Sequence, residues 1–201
     1  MAKGNITTIA LSEEQCEEII KTMNEGSASF RPNNKIATAL TLEANLGLRI
    51  SDIVRLKPSS IIKDGDRYRL DITEQKTQKK RTFTVSPKVY CFIMDYVREH
   101  EIKKNEYLFP HSDTDRKTHI TTAAVQKHLR LVCDYVGYGD LRISTHSFRK
   151  FYATRIYNDK NHDIVLVQRL LQHYSPNVTQ KYIGLGSKDL EEAIENNTFL
   201  I

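Results

Sequence analysis

The sequence predicts a mainly helical fold with one small three-stranded antiparallel sheet (α+β), in a single domain over residues 1–201. Three observations predict it. Apolar residues recur at helical spacing through most of the chain, behind recognisable helix caps. Between residues 60 and 85 the pattern changes to short alternating segments broken by Asp64-Gly65. The 201 residues are 39% apolar and 27% charged, which suits one globular core. The apolar runs fall far short of the ~20 residues that cross a bilayer, and no N-terminal stretch has the order of a signal peptide.

The elements follow in chain order. Ser12-Glu-Glu-Gln15 is a capping box opening a helix that reaches about Asn24. Gly26 to Asn34 reads as a loop. Ile36 to Leu46 has the pattern of a buried helix, with Gly47 as its C-cap. Ser51 is expected to cap a short helix that stops before Pro58. Ser60–Ile62 and Tyr68–Ile72 flank the Asp64-Gly65 turn as a hairpin, and Arg81–Val85 alternates as a third strand. Ser86-Pro87 starts the next helix, with serine as cap and proline in the first turn. Tyr107–Thr118 is a polar loop. Helices are expected at about 121–136, 146–158, 163–172 and 176–183, and an acidic tail helix at about 187–196. No repeat or linker divides the chain.

Charge and cysteine usage narrow the class. Residues 31–186 hold 27 Lys/Arg against 16 Asp/Glu, a net +11, while residues 1–30 and 187–201 each carry −3. A basic body with acidic ends fits a polyanion partner, with ends that pack on protein; a solvated charged surface is the bland alternative. Cys16, Cys91 and Cys133 are odd in number, far apart and without a C-x-x-C, so they read as reduced, mostly buried thiols of a cytosolic protein.

One constellation carries chemistry. His146 and Arg149 lie one turn apart on a predicted helix and share a face. His173 follows, with Tyr182 nine residues later. Arg49 comes after a helix-ending Gly-Leu that aims it into a cleft. A phosphodiester resists attack because its charge repels nucleophiles and grows in the transition state, so fixed cations around it are the remedy. Arginine stays charged and offers a fork that matches two oxygens. A tyrosine hydroxyl, with a pKa near ~10, needs neighbouring cations or a neutral histidine to become a nucleophile. The leaving oxygen needs an acid. A lysine in the turn before the third strand, Lys76, can supply it.

These residues resemble the tyrosine recombinase (phage integrase) family, catalytic domain. HSFRKFYATRIY is similar to its box holding the first histidine and second arginine. LLQHYSPNVTQKYIG is similar to its box ending in tyrosine, with the same nine-residue step. GLRISDIVRL is similar to the box of the first arginine, Asp52 matching the acidic residue three positions on, and KTQKKRTF to the hairpin bearing the lysine. The resemblance covers nearly the whole chain. It implies the fold of that catalytic domain and catalytic roles for Arg49, Lys76, His146, Arg149, His173 and Tyr182, with Asp52 bracing the site. Tyr182 would attack the scissile phosphate of double-stranded DNA, giving a 3′-phosphotyrosine and a free 5′-hydroxyl. Arg49 and Arg149 would hold the phosphate, His173 would donate a hydrogen bond, Lys76 would protonate the leaving oxygen and His146 would assist as acid or base. No metal, ATP or other cofactor is implied. Partner recombinase subunits, four on DNA, are implied, as is a place at the nucleoid and traffic of a mobile genetic element.

The resemblance has departures. Gln172 stands where the family has glycine before the second histidine, a local backbone matter at a helix cap. The family's N-terminal core-binding domain is expected to be absent. Lys76 is chosen over Lys79 and Lys80 by its K-T context; Lys79, Lys80 and Arg81 are expected to bind DNA through phosphates. Leu190, Ala193, Ile194 and the Phe199–Ile201 end make an apolar stripe that docks either on this domain or on a neighbour. Tyr152, Tyr157 and Tyr174 are expected to be half-buried packing, and Arg116, Lys117, His119 and His128 to be solvated. His146, His162 and His173 show no zinc spacing. Two alternatives stay open: a type IB topoisomerase-like nicking-closing activity, and a non-catalytic DNA-binding module.

Overall fold

The computed structural model describes residues 8–73, 78 and 80–184. Eight helices and a three-stranded antiparallel sheet of order β1-β2-β3 are found among these residues, as the sequence predicts. Lys76, Lys79 and the acidic tail lie outside them.

Helix α1 (Glu13–Glu25) opens on the expected capping box, Ser12 and Gln15 bonding each other's backbone amides. Helix α2 (Asn34–Leu46) is the centre of the molecule. Its residues are buried on almost every side, and α1 and a later helix pack against it. It ends at Gly47, which is left-handed at φ 62°; a Cβ there would meet the Tyr152 ring at 2.3 Å, so only glycine fits. The short helix α3 (Ile50–Ile53) corrects one expectation: Arg49, not Ser51, is its N-cap. The Gly47 turn has already set the chain's direction, so Ser51 falls inside the helix.

A 3₁₀ turn (Pro58–Ser60) leads into the sheet. Strand β1 (Ile61–Asp64) pairs with β2 (Arg67–Thr73), which pairs with β3 (Lys80–Val85), Leu70 facing Phe83 across the second ladder. Helix α4 (Pro87–Glu99) begins at the Ser86-Pro87 cap, and Tyr90 stacks on Tyr68 of β2 at 3.7 Å. The 107–118 loop is less polar than its sequence implies, since Leu108 and Phe109 are fully buried.

Helices α5 (Thr122–Tyr135), α6 (Thr145–Asp159), α7 (Ile164–Leu171) and α8 (Pro176–Ile183) complete the described chain. Helix α6 packs along α2, with Phe148 in the main core. The α6–α7–α8 end has a separate small cluster of Ala153, Val167 and Leu171, onto which Tyr152, Ile156, Tyr157, Tyr182 and Ile183 pack. Among the described residues no helix is long and apolar enough to cross a membrane. Cys16 and Cys133 are buried as expected, whereas Cys91 is exposed.

Candidate active site

Four elements bring their side chains together. Arg49 is brought by the Gly47 turn, in extended backbone at φ −73° and ψ 145°, and is half-buried. Its carbonyl accepts the Asp52 and Ile53 amides, which ties the arginine to the first turn of α3. Asp52 is buried on that turn. Between α3 and the sheet lies a cleft of about 250 Å³, lined among others by Asp52, Arg55, Lys57 and Thr73. Thr73, at the end of β2, therefore lines the same cleft as Asp52.

Arg149 comes from α6 and is 4% exposed. Its Nη2 donates to the Leu171 carbonyl at 3.0 Å. That carbonyl is at the C-terminal end of α7, where the helix dipole favours a cation. The bond fixes the guanidinium and also the end of α7, from which the chain turns into His173.

The turn itself answers one sequence expectation. Gln172 caps α7 in the left-handed region, at φ 58° and ψ 42°. Glycine would adopt this conformation without strain, so glutamine here adds a backbone cost and leaves the chain path intact. His173 follows, its amide and carbonyl both tied to Gln168. Its Nδ1 lies 3.1 Å from the Thr179 hydroxyl, which is fully buried on α8. With Thr179 donating, the ring proton sits on Nε2, and an N–H is left to bond an oxyanion. Burial first, then the charges of Arg149 and Arg49, push the His173 pKa down to about 4. His173 is thus a neutral imidazole at physiological pH. It does not add to the cations favouring the phenolate; it is a neutral donor.

Tyr182 is within this group. Its ring meets His173 edge to face, centroids 5.0 Å apart at 77°, and Lys150 Nζ stands 5.4 Å from its centroid. The hydroxyl is buried. Burial pushes its pKa up to about 12; Arg149 and Arg49 pull it back down, and Glu43 pushes it up. The Arg149 guanidinium is close enough to favour the phenolate, although the hydroxyl meets no strict hydrogen-bond geometry among the described residues.

The structure therefore brings together Arg49, Arg149, His173 and Tyr182, with Asp52 one turn from Arg49. His146 is on the first turn of α6 and exposed, while Arg149 one turn on is buried, so the two differ in environment. Lys80 is exposed and Arg81 half-buried on β3, an edge strand. Three other expectations are corrected. Tyr174 is 89% exposed, because the left-handed cap turns it outward. Arg116 is not solvated: it donates to the His100 and Glu101 carbonyls and pairs with Glu106 at 3.4 Å. His119 and His128 are half-buried, His128 edge-on to Phe30.

Three residues of the site escaped the sequence reading. Thr179 orients His173, and its signal was its place three residues before Tyr182, one turn along the same helix. Lys150 adjoins Arg149; its Nζ donates to the Thr8 carbonyl at 2.6 Å, holding the chain's entry against α6. Glu43 is a fully buried carboxylate on α2, and its signal was a single charge inside an apolar helical run.

Comparison with known proteins places these features in context. A family model described as the phage integrase family matches residues 10–188. A probable integrase/recombinase, YoeC of Bacillus subtilis, is 33% identical over 141 residues, covering 70% of this chain and 72% of YoeC. Tyrosine recombinase XerA of Pyrococcus furiosus is 27% identical over 193 residues, covering 95% of this chain and 62% of XerA. The chain thus spans only part of the length of such relatives, about half in the case of XerH of Helicobacter pylori. Among solved structures, XerH site-specific recombinase bound to its difH substrate superposes with a TM-score of 0.68 at 22% identity, over 94% of this chain and 56% of that one.

Proposed function

The chain belongs to the phage integrase family, and from that premise we propose that it is the catalytic domain of a site-specific DNA recombinase. Tyr182 attacks the scissile phosphate and forms a 3′-phosphotyrosyl bond, releasing a 5′-hydroxyl. A second strand's 5′-hydroxyl reverses the step. The bond energy stays in the covalent intermediate, so the cycle is isoenergetic in bonds.

The observation that carries this reading is the buried Tyr182 hydroxyl in the combined field of Arg149 and Arg49, edge-on to a neutral His173. Each part has a physical task. The two guanidiniums neutralise the phosphate oxygens and the charge that grows on them. His173, oriented by Thr179, donates from Nε2 to a non-bridging oxygen. The phenol is protonated in the DNA-free state, because burial outweighs the arginines, so its proton must leave as the bond to phosphorus forms. His146, at the exposed start of α6, takes that proton once substrate fills the site. Lys76 protonates the leaving 5′ oxygen. Asp52 braces Arg49, and Lys79, Lys80 and Arg81 bind the DNA backbone. The partners are double-stranded DNA and other recombinase subunits on it, at the nucleoid.

The test is a nicked suicide substrate that traps the covalent adduct. Wild type should form a 3′-linked adduct in EDTA, and Tyr182→Phe should form none. An adduct that persists in Tyr182→Phe, or one lost on chelation, would overturn the reading. Relaxation of supercoiled DNA without two-site recombination would move the assignment to a nicking-closing enzyme.

A further inference from the structure

Glu43 is an anomaly of the site that the proposed chemistry does not use. It sits on α2 among Leu40, Leu42, Ala44 and Leu46 and is fully buried. Both carboxyl oxygens lack a hydrogen-bond partner among the described residues. The Ile50 backbone amide is near enough to favour the ionised form, outside strict hydrogen-bond geometry. A buried carboxylate left this way is unfavourable unless a charge compensates it. The compensating charge is Arg149, on the helix packed along α2. The Tyr182 hydroxyl, also buried, feels the same carboxyl. Glu43, Arg149 and Tyr182 are thus one electrostatic set sealed between α2, α6 and α8.

We propose that Glu43 is a positioning residue for this site: ionised, its carboxyl competes with the DNA phosphate for Arg149, and protonated, it leaves Arg149 to the phosphate. The proposal rests on the phosphoryl-transfer reading and extends it to how the site is regulated. The exchanged proton comes from solvent and returns to it. Burial holds the Glu43 pKa well above the usual carboxylate range, with Arg149 opposing. Burial thus favours the neutral form, which leaves Arg149 its full charge. A phosphate entering beside Arg149 adds a second anion and favours the neutral form further. Rising pH ionises Glu43, offsets Arg149 and opposes the loss of the Tyr182 proton.

The elements packed against α2 carry the other groups that bear on this titration. They are Arg149 from α6, Arg49 and Asp52 at the α3 turn, and Cys16, Glu13 and Glu17 from α1. Tyr182 of α8 completes the set, and His173 before it stays neutral over the relevant range. No group other than Arg149 is strong enough to shift Glu43 detectably by its charge.

The test compares wild type with Glu43→Gln, which keeps the shape and cannot ionise. Adduct formation on the suicide substrate is followed from mildly acidic to mildly alkaline pH in the full chain. The ratio of the Glu43→Gln rate to the wild-type rate should rise with pH, by about tenfold or more across the range. Titrations of other groups cancel in the ratio. A ratio that is flat with pH, or a variant uniformly slower, would overturn the proposal. Inorganic phosphate binding, read by 31P NMR line broadening, gives a second arm that needs no DNA chemistry. Its affinity should be higher in Glu43→Gln, and increasingly so as pH rises; equal affinities at every pH would contradict the proposal. Glu43→Leu, which removes the buried polar group altogether, makes the same predictions if the glutamine variant fails to fold. If wild type forms no adduct at any pH, the recombinase reading fails, and the phosphate arm still decides the role of Glu43.

Discussion

The two halves of the active site rest on very different foundations. Arg49 and Asp52 grow from α2 and α3, inside the large core that also holds α1, α4, α5 and Phe148 of α6. His173 and Tyr182 grow from α7 and α8, whose own buried cluster is Ala153, Val167 and Leu171. The half bearing Arg49 is embedded, and the half bearing Tyr182, the proposed nucleophile, is held by little apolar area plus the Arg149–Leu171 bond. Because burial scales with apolar area removed from water, the nucleophile's helices should come loose at a smaller cost than the arginine clamp. The site is assembled across this seam, with Arg149 reaching over it.

Substitutions on the two sides should therefore behave differently. The largest effect is expected from Phe148→Ala, which empties a fully buried position in the main core. It should cost about 3–5 kcal/mol and lower the whole unfolding transition, as read by denaturant titration. Leu171→Ala, at 2% exposure in the small cluster, should cost about 2–3 kcal/mol. The loss should be local: hydrogen exchange should speed up in α7 and α8 and stay slow in α2. Uniform acceleration along the chain would mean that the two halves form one cooperative unit.

Two smaller effects sharpen the contrast on the nucleophile's side alone. His173 has its pKa lowered to about 4 in the fold against 6.5 for the free side chain. The unfolded chain binds more protons between these values, so this residue's contribution is present above about pH 6.5 and is lost as pH falls towards 4. Allowing for solvent screening at a half-buried group, the loss is of the order of 1 kcal/mol. His173→Gln should lack this component of acid destabilisation, as seen by melting curves across that window. Gln172→Gly relieves the left-handed cap and should stabilise α7 by a few tenths of a kcal/mol to about 1 kcal/mol. A destabilised Gln172→Gly would show that the glutamine side chain carries a contact worth more than the backbone strain.

Much of this was legible in the sequence, for reasons that are local. The Ser12–Gln15 box and the Ser86-Pro87 start act within a few residues, and each stands where the pattern predicts; the hairpin turn falls one residue later than the Asp64-Gly65 signal, at Gly65-Asp66, because Asp64 still pairs with Arg67. The nine-residue step from His173 to Tyr182 spans the short Tyr174-Ser175 link and two turns of α8, and the two rings meet edge to face. What escaped depends on distant partners. Arg116 reads as solvated until the His100 and Glu101 carbonyls are brought to it. Tyr174 reads as packing until the Gln172 turn points it outward. Helical periodicity marks α2 as buried but is silent on what lines its inside, so the relation of Glu43 to Arg149 appears only when α6 is laid along it. The histidine pair also misleads: His146 and Arg149 share a spacing, but the first turn of α6 leaves one at the surface and takes the other inside.

The measurement that tests the account most directly is the identity of the residue that carries DNA. The trapped adduct would be digested with nuclease and protease, and the phosphotyrosyl peptide located by mass spectrometry. Tyr182, whose buried hydroxyl feels the charge of both arginines, should carry the nucleotide. A nucleotide on exposed Tyr174, or on Tyr157 of the small cluster, would contradict the assembly of Arg49, Arg149, His173 and Tyr182 into one site.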